Sequence, residues 1–397
     1  MIFGRKSVEV SNRVGDFAYL DSKAIYLDSA CQSLRPQPVI DAQDNYYKEY
    51  NACSDRVKYA WGKKADSGVA ATRIKALKLL KHSDKDYFTS FTLNTTYGLH
   101  LILSQLETDG IDKVITTDIE HNSVFLATIS FARTNNIPRE VLARSDDGSI
   151  SLDHDFSNAL VVVNTSSNID GRRLLNVREL VDKVHASGGL VILDAAQTMG
   201  HNFKWLAGVP ADAICFSAHK MYAPSLGVIV AKRSLLSKIT PKFVGGGMVN
   251  DVSKDDYILT ASQQERTHTI FEPGLQAWGE IIALGEAIGW LQSTHKDSQI
   301  NDYSKQLIDW LRSRSNTTVI NEDVTPVVAF YHEKVDSHLL AEGLSEAGIM
   351  VRSGYFCCHY YLDHIKKYPP LLRMSLGLHN TQADIDRTVR ALEGVLR

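Results

Sequence analysis

The sequence is short of several things, and each shortage narrows what the chain can be. No apolar run approaches the roughly 18–20 residues of a membrane-spanning helix, so no membrane segment is expected. Neither charge dominates, with 43 Lys+Arg against 46 Asp+Glu. No Lys/Arg run breaks that balance, which argues against a nucleic-acid partner. The stretch from Met1 to Phe17 lacks the apolar core of a secretion signal. Five cysteines, an odd number, suit a reducing compartment better than a disulfide framework. A cytoplasmic location is the expectation. Internal repeats and low-complexity linkers are missing too. What is present is a 397-residue chain, 44% hydrophobic, long enough to bury an ample core.

Two short apolar runs organise the rest. Leu190–Leu193 ends in Asp194-Ala195-Ala196-Gln197, and Ala213–Phe216 ends in Ser217-Ala218-His219-Lys220, with Pro224 and Gly227 just beyond. Such runs, bounded by small or turn-forming residues, read as buried parallel strands. Asp194 and Lys220 then stand where strands hand over to loops, the usual place for ligand groups in an open α/β sheet. A lysine there, with an aspartate on the neighbouring strand, suits pyridoxal 5'-phosphate (PLP). That cofactor forms a Schiff base with a lysine amine, and a carboxylate keeps its ring nitrogen protonated. On these two residues alone, a helix-capping aspartate and a surface lysine explain the pattern equally well.

Strand and helix patterns alternate from residue 87 to 231, which predicts a doubly wound α/β layer with a mainly parallel sheet. Helical spacing covers 39–81, with Gly68 between two pieces. A helix is also predicted within residues 1–25. Residues 250–270 read as irregular, and a long helix follows from about 277 to 294. From about 300 onward the order is helix, strand, helix, loop, helix, a smaller α+β domain. The expected division is residues 26–285 for the large domain, with 1–25 and 286–397 forming the small one.

Several polar positions carry two readings. Thr95 and Thr96 open a helix, as caps or as a phosphate cradle at its positive end. His121 reads as a solvated loop histidine, an imidazole titrating near neutrality. Asn168 lies in a turn-rich loop after the strand at 160–163. In Arg352-Ser353-Gly354-Tyr355-Phe356-Cys357-Cys358-His359, the paired cysteines are a reactive thiol site or two small buried hydrophobes. Arg373 has apolar flanks, and its planar fork of donors matches a carboxylate.

Leu193–His201 (LDAAQTMGH) and then Phe216–Pro224 (FSAHKMYAP), with Lys220 26 positions after Asp194, resemble the class V, fold-type I PLP enzymes. Within these the chain is most similar to the cysteine desulfurases, from about Tyr26 to the C-terminus. The resemblance implies PLP on Lys220, with Asp194 at its ring nitrogen and His121 stacked on the ring. Gln197 and Asn168 would contact cofactor or substrate, and Thr95, Thr96, Ser217 and His219 would hold the phosphate. Arg373 would bind the substrate carboxylate, and Cys357 falls at the nucleophile position, with Cys358 replacing a usual alanine. The family pattern is broken at Ser29 (usually Asn, beside the substrate), Asn94 (usually Gly) and Leu275. The last replaces a threonine that reaches the partner subunit's phosphate site.

Fifteen residues separate Cys357 from Arg373, a spacing that resembles the short-loop, Suf-type group, which relies on a protein sulfur acceptor. The implied activity is conversion of L-cysteine to L-alanine, with a Cys357 persulfide passed on, in a C2 homodimer without metal. The alternative is a class V aminotransferase, epimerase or C–S lyase, selenocysteine lyase included, in which Cys357 is incidental. A domain that sulfurates a molybdenum cofactor and a non-catalytic scaffold of the same fold are further alternatives.

Overall fold

The computed structural model describes residues 15–21, 23–54, 57–260, 267–294 and 297–396. The helix predicted within residues 1–25 falls largely outside them. The described part holds a 3-10 turn, Gly15–Phe17, and strand β1, Ile25–Tyr26. Two helices follow, α1 (Gln37–Glu49) and α2 (Ala60–Leu79). The first ends at Glu49 and the second begins at Ala60, so Gly68 does not separate them but sits inside α2. A Cβ on Gly68 would meet Ile282 Cγ1 at 3.0 Å, so glycine there lets two helices approach closely.

The strands of the main sheet then alternate with helices. In chain order they are β2 (Tyr87–Thr92), α3 (Thr95–Gln105), β3 (Lys113–Thr117), α4 (Asn122–Asn135), β4 (Arg139–Leu142) and β5 (Ala159–Asn164). After these come α5 (Val177–Ala186), β6 (Leu190–Asp194), β7 (Ala213–Ser217) and β8 (Gly227–Lys232). The seven strands are ordered β2-β8-β7-β6-β5-β3-β4. Only β8 runs against its neighbours; the other pairings are parallel. Alternate side chains serve opposite faces, as a strand's two-residue period requires. Val161, Val163 and Phe216 enter one core, while Leu160, Val162 and Cys215 enter the other. With both faces covered, the strands read as continuous apolar runs.

This topology places the chemistry. Asp194 ends β6, Ser217 ends β7, and Asn164 ends β5 in register with Asp194. The N-termini of α3 and α4 open just after β2 and β3, so all five elements deliver polar groups to one edge. Asn94 caps α3, its side chain accepting from Tyr97 N at 2.9 Å. Thr95 and Thr96 are therefore the first helical residues and not its caps. Loss of such a cap costs about 1 kcal/mol, so Asn94→Ala should lower unfolding free energy by about that amount in urea titrations.

Residues 250–270, read as irregular, contain a hairpin: β9 (Val249–Val252) pairs antiparallel with β10 (Tyr257–Leu259). Helix α6 (Trp278–Thr294) follows, then α7 (Asp297–Arg312), β11 (Thr317–Val319), β12 (Val327–His332) and α8 (Ser337–Glu346). The chain closes with β13 (Ile349–Met350), β14 (Arg352–Gly354), a π-helical turn Tyr360–Ile365, β15 (Leu371–Ser375) and α9 (Gln382–Val395). An antiparallel sheet of order β11-β12-β15-β14 was hardly legible, since its strands are short and β15 carries Arg373. The boundary expected at 285 falls inside α6, whose Ile281, Leu284 and Leu291 pack in a core with the main sheet. Ile25 and Leu27 join the C-terminal core with Phe330, Leu372 and Met374. That core crosses from the chain's beginning to its end and brings Asp28 beside Arg373.

Candidate active site

A cavity of about 270 Å³ opens at the edge where β5, β6 and β7 end. Every residue expected to act in catalysis or to bind cofactor or substrate lines it: Thr95, Thr96, His121, Asn168, Asp194, Gln197, Ser217, His219, Lys220, Cys357 and Arg373. Ser29 does not; it is 2% exposed and packed away, while Ala30 and Cys31 face the space. Leu275 lies elsewhere, 78% exposed, at a separate depression shared with Arg73 and Glu272.

Asp194 is buried at the floor. Ala196 N donates to its Oδ1 at 2.9 Å and Ser123 Oγ to its Oδ2 at 3.0 Å. Burial pushes its pKa up despite these bonds. Ser123 also reaches His121. Its backbone N–H donates to His121 Nδ1 at 3.0 Å, which leaves Nε2 to carry the proton of the neutral ring. Desolvation, with the charges of Lys220 and Arg373, drives the His121 pKa down to about 3. The expectation of a histidine titrating near neutrality is therefore corrected. In the cofactor-free protein the His121 ring resonances should not shift between pH 8 and 5. A midpoint near 6.5 in an NMR titration would contradict the geometry. The sign for stability follows. A depressed histidine pKa means the unfolded chain binds more protons below about 6.5, so this residue's contribution is lost as pH falls from there toward 3.

Lys220 ends a 3-10 turn, Ala218–Lys220, directly after β7. The chain after β6 comes down on it closely enough that a Cβ on Gly200 would meet Lys220 O at 2.2 Å. Among the described residues no hydrogen bond or ion pair engages the Lys220 ammonium. Burial lowers its pKa, while Asp194 raises it. Beside it, Ser217 Oγ accepts from Thr95 N at 3.0 Å and meets Thr95 Oγ1 at 2.6 Å, which pins the first turn of α3 to the end of β7. Burial holds His219 down at about 4, a neutral ring at the same wall.

The opposite wall comes from the C-terminal sheet. Arg373 Nη2 bonds Asp28 Oδ1 at 3.0 Å and Nη1 bonds Asn168 O at 2.8 Å. Among the described residues its buried Nε has no hydrogen-bond partner. Asn168, expected to touch cofactor or substrate, spends its amide on the cysteine loop. Nδ2 donates to Phe356 O at 2.7 Å, and Oδ1 accepts from Cys358 Sγ at 2.9 Å. Phe356 and Cys357 both adopt left-handed backbone, φ 49° and 60°. Cys357 O is held by Asn122 N at 2.7 Å. Consecutive non-glycine residues in that region are strained and persist only where surroundings over-determine them. The result leaves Cys357 exposed at the cavity and buries Cys358, whose pKa desolvation raises.

Three contributors escaped the sequence reading. Asp28 joins Arg352 to Arg373, Ser123 joins His121 to Asp194, and Glu120 ties the turn before His121 to Asn164 N at 2.7 Å. Only Glu120 carried a signal, as a carboxylate beside the histidine; the other pairings depend on topology.

The α/β sheet thus brings to its strand ends a buried aspartate and a lysine with no partner among the described residues. The chain belongs to the aminotransferase class-V family, whose profile matches residues 25–388. It is 27% identical over 94% of its length to a cysteine desulfurase of Pectobacterium atrosepticum, covering 93% of that protein. It is 28% identical to a probable cysteine desulfurase of Halalkalibacterium halodurans, with the same coverages, 94% and 93%. Among solved structures, the apo cysteine desulfurase of Thermococcus onnurineus NA1 matches with a TM-score of 0.83 at 26% identity, over 94% of each chain. The fold also matches that of the Escherichia coli cysteine desulfurase CsdA, with a TM-score of 0.85 at 23% identity over 96% of each chain.

Proposed function

We infer that this protein is a PLP-dependent cysteine desulfurase, converting L-cysteine to L-alanine and carrying the sulfur on Cys357. The observation that carries the reading is the meeting, in one cavity, of an unpaired lysine amine, a buried carboxylate and an exposed thiol. The donor set fits the cofactor. Lys220 offers an amine with no other partner among the described residues, and Asp194 offers a carboxylate whose burial favours a cationic neighbour. The α3 N-terminus, with Thr95, Thr96, Ser217 and His219, offers donors and a positive dipole end for a phosphate. Bound there, PLP would supply an electron sink for bonds at the substrate's α- and β-carbons.

The chain's own residues do the rest. Arg373, a guanidinium lining the cavity, would bind the substrate carboxylate. His121 presents Nε2–H as a donor that stays neutral through the physiological range. Lys220 Nζ holds or moves a proton at the floor. Cys357 Sγ attacks the substrate sulfur, the substrate's C–S bond breaks, and a persulfide S–S bond forms. The carbon left behind takes a proton, so thiol plus L-cysteine gives persulfide plus L-alanine.

The loop that carries Cys357 is fixed by Asn122 and Asn168 yet leaves the thiol at the surface, which suits hand-over to a docked protein acceptor. A homodimer and a cytoplasmic location complete the reading. The test supplies L-cysteine and a thiol reductant to the wild type and to Cys357→Ala, and counts alanine and sulfide. The wild type should release the two in equal amounts, and the variant should fall to background while keeping its cofactor absorption. Undiminished turnover in the variant would instead support the aminotransferase or lyase alternative.

A further inference from the structure

Two thiols line the cavity, Cys357 and Cys31. Cys358, although adjacent to Cys357, is turned inward at 1% exposure and gives its S–H to Asn168. Cys31 is the reverse: half-buried, in no disulfide, and facing the space beside Lys220. Arg352 Nη2 donates to Cys31 Sγ at 2.8 Å. That guanidinium is itself fixed, since Asp28 Oδ2 accepts from its Nε at 3.0 Å and from its Nη2 at 2.8 Å. Arg352 opens β14, the strand that leads into Cys357, so one short segment both orients the donor on Cys31 and carries the exposed thiol. The second guanidinium on Asp28, Arg373, is 2% exposed, lines the same cavity and keeps an unpartnered Nε. The wall joining the two thiols is thus built of fixed cationic donors, the setting in which cysteines act as nucleophiles.

We propose that Cys31 is a second sulfur-carrying thiol, which takes the sulfane sulfur from the Cys357 persulfide. The step rests on the desulfurase reading. The Cys31 thiolate attacks the terminal sulfur of Cys357–S–SH. The S–S bond to Cys357 breaks, an S–S bond to Cys31 forms, and the proton stays on the transferred sulfur. Cys357 leaves as a thiolate, ready for another substrate molecule. Nothing is oxidised or reduced overall, and no co-reactant is needed. Each protomer then stores sulfur at two positions before an external acceptor must arrive.

The test mixes PLP-loaded protein with excess L-cysteine, without reductant or acceptor, and quenches with iodoacetamide. Alanine is counted, and added sulfur is located by peptide mass spectrometry. The wild type should carry sulfur on both Cys31 and Cys357, and its alanine burst should be about twofold that of Cys31→Ser. Sulfur on Cys357 alone, with equal bursts, overturns the relay and leaves the desulfurase reading standing. Sulfur on Cys31 in Cys357→Ala protein means direct attack on substrate and also overturns the relay. Alanine formation independent of Cys357, with no sulfur on either thiol, overturns the desulfurase reading itself. If Cys31→Ser does not fold, Cys31→Ala serves for the burst, and the wild-type peptide map decides alone.

Discussion

Lys220→Ala protein is expected to retain no cofactor that borohydride fixes to the chain, and to make alanine from L-cysteine at least about 10²–10⁴-fold more slowly than the wild type. The lower bound is what loss of a single positioned proton carrier costs, before loss of the cofactor's attachment is added. The geometry makes Lys220 the only candidate among the cavity-lining residues, because no other lysine lines the space. Misfolding is not the expected cause of the loss. The ammonium is buried and its pKa is depressed by desolvation, so the folded state binds it less readily as a cation than the unfolded chain does. Removing a penalised charge should leave the cofactor-free melting temperature no lower. Intact-mass analysis after borohydride, with calorimetry alongside, reads both halves.

Asp194→Asn should likewise separate stability from function. Asparagine keeps the shape, its Oδ1 accepting from Ala196 N and its Nδ2 donating to Ser123 Oγ, but it cannot carry the negative charge. Its turnover should fall about 10²–10³-fold, the usual cost of removing a preorganised electrostatic partner from a buried site. Its cofactor-free stability at neutral pH should rise. The Asp194 pKa is raised by burial, so the folded state holds its proton more tightly, and stability contributed here falls as pH climbs through the raised value. A neutral amide removes that cost. The difference in urea midpoint between variant and wild type should therefore grow from acid toward neutral pH.

The main sheet was legible because its strands are buried on both faces and so spell continuous apolar runs, as at Leu160–Val163 and Val191–Leu193. Most cavity residues, from Thr95 to Lys220, were legible because they follow such a run at its C-terminal end, whereas Cys357 and Arg373 were read from the family resemblance. The second sheet was not, since β14 is three residues long and β15 is interrupted by Arg373. Asp28 and Ser123 act by contacts with Arg373 and Asp194 that span hundreds and tens of positions, respectively. No local pattern encodes those. His121 was read with an ordinary pKa because its sequence neighbours are polar, whereas burial first, and then the charges of Lys220 and Arg373, suppress it. Residue 285, proposed as the domain boundary, lies inside α6, whose inner residues belong to the large core.

One single-turnover experiment bears most directly on the central claim. PLP-loaded protein receives less than one equivalent of L-cysteine, and the carbon product is identified while thiol-bound sulfur is counted. The account predicts L-alanine, matched one for one by sulfane sulfur on the protein's cysteines. Pyruvate with free sulfide, or a keto acid with no bound sulfur, would contradict it.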